Sequence, residues 1–219
     1  MKTICVAGTG RIRRKPDLTG ITLTLEDTQA DYGEAIRRSS EATELLRDLV
    51  AGVGFERDAL KTLDFNIDTE YEGYEENGIY KQRFVGYKYR HLMKIEFDAD
   101  SDRLGKLLYA FANCPAKPEF RISYTVRDPE AAKSELLANA VANAKAKAEV
   151  LAKAAGVKLK HIRRINYGRS EINLEVVPAG RLYMAKDCCE AAGANSYALN
   201  IAPEDITATD TVTIIWEID

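Results

Sequence analysis

Alternating apolar and polar residues predict β-strands near both ends of the chain. Ile21, Leu23 and Leu25 point one way, with threonines and Glu26 opposite, and residues 120–126 and 212–218 alternate in the same manner. A period of two gives a strand one buried and one solvated face. Strands buried on both faces give continuous apolar runs instead. We therefore expect mixed or antiparallel sheets with helices on one side only.

Three segments with apolar residues every three or four positions predict helices. The first begins near Asp31, the second follows Asp100, and the third has Asp128 as N-cap with Pro129 at the first helical position. The predicted inner stripes are Ala35, Ile36, Ser39, Thr43, Leu46, Val50 and Val53 on the first helix, Leu104, Leu107, Leu108 and Phe111 on the second, and Leu137, Val141, Ala144, Ala148, Leu151 and Ala155 on the third. The many alanines make the third helix thin, so it can lie close to a sheet.

A long β-hairpin is predicted over residues 60–97, with Asn77-Gly78 as its turn. A two-residue turn there pairs Tyr71 with Phe84 and Glu72 with Arg83. Beyond Gly86 the apolar residues change from even to odd positions. One extra residue at or next to Gly86, a β-bulge, restores the alternation. Ile67 then meets Tyr89, and Phe65 meets His91.

A faint internal repeat indicates two related strand–helix–strand–strand halves. The first half has strands 19–27, 60–74 and 79–97 with helix 31–52, and the second has strands 117–127, 160–177 and 204–218 with helix 129–155. We therefore predict a two-layer α+β fold. It is a single unit of residues 1–219, with substructures over about 1–98 and about 99–219. Residues 178–203 interrupt the pattern and predict a long loop.

The composition excludes several classes of protein. Hydrophobic residues make up 46% of the chain and charged residues 30%, as in an ordinary globular protein, and the net charge of −3 argues against a nucleic-acid partner. The chain shows neither a signal peptide nor a run of about 20 apolar residues that could span a membrane. The expected location is the cytoplasm.

Several short motifs contain residue types that are found in functional sites. Gly8-Thr9-Gly10 lacks the strand–turn–helix context of a phosphate loop, so we interpret it as an edge strand that another backbone approaches closely. The short basic run that follows is interpreted as a solvated face; it consists of Arg11, Arg13, Arg14 and Lys15. His91 and His161 lack partners at metal-ligand spacing. No catalytic, cofactor-binding or metal-binding residues are therefore predicted.

Five tyrosines cluster in the hairpin: Tyr71, Tyr74, Tyr80, Tyr87 and Tyr89. Aromatic packing across the strands is the simplest explanation, and contact with another protein is the main alternative. The adjacent Cys188 and Cys189 leave a thiol-based redox function open, although only Lys186 is nearby to activate them. The other two cysteines are Cys5 and Cys114. The spacing of the four cysteines matches neither a zinc-binding pattern nor a CxxC redox motif.

Four pieces of the chain, in order, resemble the SIMPL-domain family, which is mostly bacterial and includes periplasmic oxidative-stress proteins and outer-membrane-associated immunogens. They are Gly8-Thr9-Gly10 with Lys15-Pro16-Asp17, Val85-Gly86-Tyr87-Lys88, the segment from Ile122-Ser123-Tyr124 to Gly156-Val157-Lys158-Leu159, and Ile206 to Ile218. The resemblance implies a two-part α+β protein without known catalytic residues, and some members form large ring-like or channel-like oligomers. It implies no cofactor.

The leading hypothesis is a non-enzymatic protein that acts by self-assembly or by binding a protein partner, in a stress response for example. A homo-oligomer is the expected state. The alternative is a redox-active stress protein that uses Cys188 and Cys189.

Overall fold

The computed structural model describes residues 2–168, 172–177 and 203–219. These residues form seven strands, three helices and a 3₁₀ turn at Arg57–Ala59. The strands are β1 Lys2–Arg14, β2 Leu18–Gln29, β3 Lys61–Glu76, β4 Ile79–Asp98, β5 Glu119–Thr125, β6 Leu159–Asn166 and β7 Ile206–Ile218; the helices are α1 Tyr32–Gly52, α2 Ser101–Ala112 and α3 Pro129–Ala154.

The strands form two sheets, and the fold is α+β with antiparallel pairing, as predicted. One sheet has the order β3-β4-β2-β5 and the other has the order β1-β7-β6. The β1–β7, β6–β7, β2–β4 and β3–β4 pairs are all antiparallel.

The chain divides into two compact units that differ from the predicted halves 1–98 and 99–219. One unit contains residues 1–17, 124–176 and 203–219, and the other consists mainly of residues 18–123. The reason lies in strand pairing, because β1 joins the sheet of late strands and β5 joins the sheet of early strands. Alternation along a strand identifies its buried face and carries no information on which sheet receives it.

Helices α1 and α2 cover the core of the four-stranded unit. The predicted stripe of α2 is buried as expected, and so are five of the residues predicted for α1. The two exceptions are Ile36, whose side chain is 44% exposed, and Val53, which is only partly buried and follows the end of the helix. Asp31 and Asp100 cap the two helices with side-chain oxygens that accept backbone N–H groups of the first turn.

The long hairpin has the predicted register. Tyr71 pairs with Phe84 and Ile67 pairs with Tyr89, and the register shifts between these two pairs. Val85 is the residue without a partner, so the predicted bulge next to Gly86 is confirmed. A second shift between Thr62 and Asp64 was not predicted.

Helix α3 packs on the three-stranded sheet through a different face from the one predicted. The buried residues recur every four positions: Ala132, Leu136, Ala140, Ala144, Ala148 and Ala152. Leu151 is 49% exposed, and Leu137, Val141 and Ala155 are also outside the fully buried set. The predicted stripe was therefore right at Ala144 and Ala148 and wrong at the exposed Leu151 and Ala155. Leu137 and Val141 are partly buried, and Val141 packs against the core.

The physical reason is the close approach of α3 to the glycines of β1. A β-carbon on Gly8 would lie 2.2 Å from the carbonyl oxygen of Ala140, and one on Gly10 would lie 2.1 Å from that of Leu136. Small side chains face this strand because the backbones almost touch, and the larger Leu151 points elsewhere. The interpretation of Gly8-Thr9-Gly10 as an edge strand with close backbone approach is confirmed, since β1 lies at the edge of its sheet.

Strand β6 is shorter than the predicted strand 160–177. It ends at Asn166, and Val176 forms only an isolated bridge, with N–H and carbonyl groups that bond Tyr124 at 2.8 Å. Residues 178–202 of the predicted loop, including Cys188 and Cys189, lie outside the described residues.

Candidate functional site: an aromatic hairpin arm

The β3–β4 hairpin extends beyond the rest of its sheet. Strand β2 pairs with β4 only as far as the Gln29–Tyr87 pair. Beyond that point, from Glu70 and Gly86 to the Asn77-Gly78 turn, β3 and β4 pair only with each other in the described part of the chain. We call residues 70–86 the arm. Every residue of the arm is exposed apart from Glu70, which is partly buried, and Gly86, which is buried.

Gly86 marks the point where β2 leaves the hairpin. A β-carbon there would lie 2.4 Å from the carbonyl oxygen of Gln29. The chain of β2 passes over this position, so a side chain would displace it. On the far side of Gly86 no strand within residues 2–168, 172–177 and 203–219 pairs with this edge of β4, so none of them occupies its outward N–H and C=O groups.

A row of aromatic rings in edge-to-face contact runs from Tyr32 of α1 over the base of the hairpin and onto one face of the arm. The ring centroids of Tyr71 and Phe84 lie 5.7 Å apart, those of Phe84 and Tyr87 5.3 Å, and those of Tyr87 and Tyr32 5.4 Å. Such pairs stabilise by about 0.5–1.5 kcal/mol beyond the burial of area. The rings are nevertheless open to solvent, with Tyr71 56% and Phe84 46% exposed.

The bulge at Val85 creates this row. Phe84 and Tyr87 are three residues apart, so in a regular strand they would lie on opposite faces. The extra residue brings both to the face that also carries Tyr89 and His91, which are buried at the base of the hairpin. The aromatic face of the arm is therefore the continuation of a core-lining face, beyond the part of the sheet that is buried.

Tyr80 extends the aromatic face towards the turn. Its hydroxyl would lie 1.7 Å from a β-carbon on Gly73, so the ring lies across that glycine. Tyr80 is 73% exposed, which is more than any other large apolar residue in the described part of the chain. The tip of the arm thus presents a flat phenol ring to solvent.

The opposite face of the arm is charged. Arg83 donates to Glu72 at 2.6 Å, and Lys81 donates to Glu76 at 2.5 Å. Exposed pairs of this kind contribute about 0–1 kcal/mol each. They place these charges on the face opposite the aromatic row.

The two strands of the arm also differ in charge. β3 contributes four acidic residues, Glu70, Glu72, Glu75 and Glu76, whereas β4 contributes the basic residues Lys81 and Arg83. The difference continues at the base, where Lys88 and Arg90 of β4 lie 3.0 and 3.1 Å from Glu26 of β2. The arm therefore has one acidic and one basic edge.

A buried histidine lies at the base of the arm. His91 Nδ1 is 3.0 Å from the Thr43 hydroxyl, and Nε2 is 2.9 Å from the Thr62 hydroxyl. The Thr43 hydroxyl donates to the carbonyl oxygen of Ser39, so it accepts from Nδ1–H, and Nε2 accepts from Thr62. Burial lowers the pKa of His91, and the nearby Arg47 lowers it further. This arrangement holds a neutral imidazole and joins α1 to the hairpin.

The other residues considered from the sequence do not come together. Arg13 pairs with Asp205 at 2.8 Å, and His161 is exposed with Nε2 3.4 Å from Glu217. Cys5 is exposed and Cys114 is buried. Among residues 2–168, 172–177 and 203–219, no group of three or more metal-binding side chains is present. In the same ranges no helix has the length and apolarity needed to cross a membrane.

Comparison with known proteins places the chain in a family. The model of the SIMPL family, described as a protein of unknown function (DUF541), matches residues 4–216. The chain therefore belongs to the SIMPL family. A search of curated proteins finds no match. Among solved structures, CutA from Synechococcus elongatus PCC7942 is 16% identical, with 59% of this chain and 94% of that chain covered at a TM-score of 0.22.

Proposed function

We propose that this SIMPL protein acts without catalysing a reaction, by associating with further copies of itself through the arm. The observation that carries the proposal is the exposed Tyr71–Phe84 pair on a ribbon that no third strand joins among the described residues. A two-stranded hairpin is at best marginally stable alone in water. Tyrosine and phenylalanine are enriched at protein interfaces, where they bury large areas with little loss of entropy. Covering the aromatic face would stabilise the arm and exclude water from its rings.

The charges of the two strands favour a second copy as the partner. Pairing β3 of one copy with β3 of another brings glutamates together, and pairing β4 with β4 about Gln82 places Lys81 opposite Arg83. Like charges that face each other across strands are destabilising. Pairing β3 of one copy with β4 of the next places acidic residues against basic ones. This favours head-to-tail association, in which different surfaces of the two copies meet.

The experiment is a measurement of solution mass against protein concentration by light scattering. The wild-type chain is compared with the double variant Tyr71→Ser/Phe84→Ser and with Tyr74→Ser, a matched control on the charged face of the same strand. We expect the wild type and the control to associate and the double variant to remain monomeric. A wild-type chain that is monomeric at high concentration contradicts self-association. If the double variant associates to the same extent as the wild type, the proposed role of the arm is contradicted.

The predicted stress-response function and cytoplasmic location stay predictions. The proposal requires neither, because it depends only on the surface of the arm and on its charges.

A further inference from the structure

A groove lies between α3 and β6 in the three-stranded unit. Its volume is about 570 Å³. Helix α3 packs mainly on β1 and β7, and no other helix of the described residues covers the neighbouring strand β6. Sites that take small organic ligands have volumes of roughly 300–1,000 Å³. The groove therefore has the size of a small-molecule site, and it is separate from the arm.

The base of the groove is apolar. It is formed by Val141, Leu159, Ile162, Ile214 and Trp216. Ile214 and Trp216 also pack against the alanines of α3 in a core cluster and are only 0% and 3% exposed, so the open surface of the base comes from Val141, Leu159 and Ile162. Ile162 pairs with Trp216 across the strands and is 46% exposed. An apolar chain or ring laid along β6 would cover this side chain.

The rim of the groove is charged and mainly basic. Lys145, Lys160, His161 and Glu149 line it. Lys160 is held by Asp219, whose oxygen lies 2.8 Å from Nζ. Lys145 has no ion-pair partner among the described residues, although Glu149 lies one helical turn further along α3. An unpaired ammonium beside an apolar base favours a ligand with an anionic head.

We propose that this groove binds a small amphipathic carboxylate, such as a medium-chain fatty acid or an aryl carboxylate. The apolar part lies on Val141, Leu159 and Ile162, with Trp216 directly beneath them. The carboxylate lies at the rim, where it accepts from Lys145. Lys160 remains paired with Asp219, so Lys145 is the ammonium that holds the carboxylate. Glu149 limits the site to ligands with a single anionic group, because a second one would face its carboxylate.

The chain provides its own reporter for the test, since Trp216 is its single tryptophan. Decanoate, decanol and decyltrimethylammonium are titrated separately into the protein below their aggregation concentrations, and the tryptophan emission is recorded. We expect a saturable change with decanoate at a lower concentration than with decanol, and the weakest response with the cation. The absence of a saturable change with decanoate, or tighter binding of the cation, overturns the proposal.

Variants distinguish recognition of the carboxylate from general apolar adsorption. Lys145→Gln is expected to weaken decanoate binding about three- to fivefold, the effect of one exposed ion pair, and to leave decanol unaffected. Lys153→Gln, on the same helix and outside the groove, is the control and should behave as the wild type. Ile162→Ser should weaken both decanoate and decanol. Equal loss of decanoate and decanol binding in Lys145→Gln contradicts the assignment of the rim.

Discussion

Gly8 of β1 faces Ala144 of α3 so closely that a β-carbon on the glycine would lie 2.5 Å from the β-carbon of the alanine. A similarly close approach recurs two residues later, where a β-carbon on Gly10 would lie 2.1 Å from the carbonyl oxygen of Leu136. The pair explains two features of the sequence at once. The glycines are needed for backbone approach, and the alanines of α3 are the residues that β1 can accommodate.

Replacing Gly8 with alanine should destabilise the three-stranded unit. The added methyl group meets the backbone of α3 at Ala140, which cannot rotate away as a long side chain would. Overpacking of this kind costs typically 1–3 kcal/mol, so we expect a loss of about 2 kcal/mol or more in the free energy of unfolding. Urea denaturation followed by circular dichroism measures it.

Gly52→Ala is the matched control for this experiment. A β-carbon on Gly52 would have no neighbour within 4 Å. The free energy of unfolding of the Gly52→Ala variant should therefore equal that of the wild type or exceed it by up to about 1 kcal/mol. A Gly8→Ala chain as stable as the wild type would show that α3 does not lie against β1 as described.

Acidification should destabilise the four-stranded unit through His91. Because burial lowers the pKa of this imidazole below its ordinary value of 6.5, the unfolded chain takes up a proton at a higher pH than the folded one. The stabilisation is complete above pH 6.5 and is lost as the pH falls through 6.5 towards the folded pKa. The free energy of unfolding, measured by urea denaturation between pH 7.5 and 5, should therefore decrease more steeply in the wild type than in His91→Gln.

The exposed His161 provides the control, and His161→Gln should follow the wild-type profile. Carboxylates also titrate towards the lower end of this range, so the test lies in the difference between the variants. Identical slopes in the wild type and His91→Gln would contradict the buried, neutral state of this side chain.

Salt should weaken the self-association proposed for the arm. Pairing of acidic β3 with basic β4 relies on charges near the surface, and the screening length falls from about 10 Å at 0.1 M salt to about 3 Å at 1 M. We expect the dissociation constant, measured by sedimentation, to rise several-fold between about 0.05 M and about 0.5 M sodium chloride. Association driven only by the aromatic face would be unaffected or strengthened by salt, and that result would contradict the head-to-tail pairing of unlike edges.

The sequence was sufficient for the local structure of the hairpin. Asn77-Gly78 fixes the turn, and the change of apolar parity at Gly86 predicts both the bulge and the pairing of Ile67 with Tyr89. Each of these signals lies within the two strands that it describes. The second bulge, at Leu63, has no comparable signal within its strand. Only the polar Lys61 and Thr62 precede it in β3, so no apolar residue of the strand marks a buried face before the bulge.

Hydrophobicity alone could not predict which face of α3 packs on the sheet. The usual rule places the largest apolar residues inside, which selected Leu137, Val141 and Leu151. Here the strand below carries glycines, so the closest packing is achieved by alanine, and the larger residues lie at the sides. The buried face of α3 can be predicted correctly only if it is known that β1 runs beneath this helix.

The polar side chains that protect β1 were missed for the same reason. The Thr9 N–H donates to Asn143 Oδ1 at 3.0 Å, and Lys147 Nζ donates to the carbonyl oxygen of Ala7 at 3.1 Å. These contacts occupy outward backbone groups of an edge strand, which would otherwise be open to pairing. The sequence shows asparagine and lysine one turn apart on a helix, which is typical of any solvated surface.

The most direct test of the arm as an assembly surface is hydrogen exchange of its backbone amides at low and high protein concentration. If copies associate through the arm, the amides of residues 79–85 on the free edge of β4 should become protected as the concentration rises, and the amides of α2 should exchange equally at both concentrations. Exchange of residues 79–85 at the same rate in dilute and concentrated protein would show that nothing covers the arm, and self-association through it would be wrong.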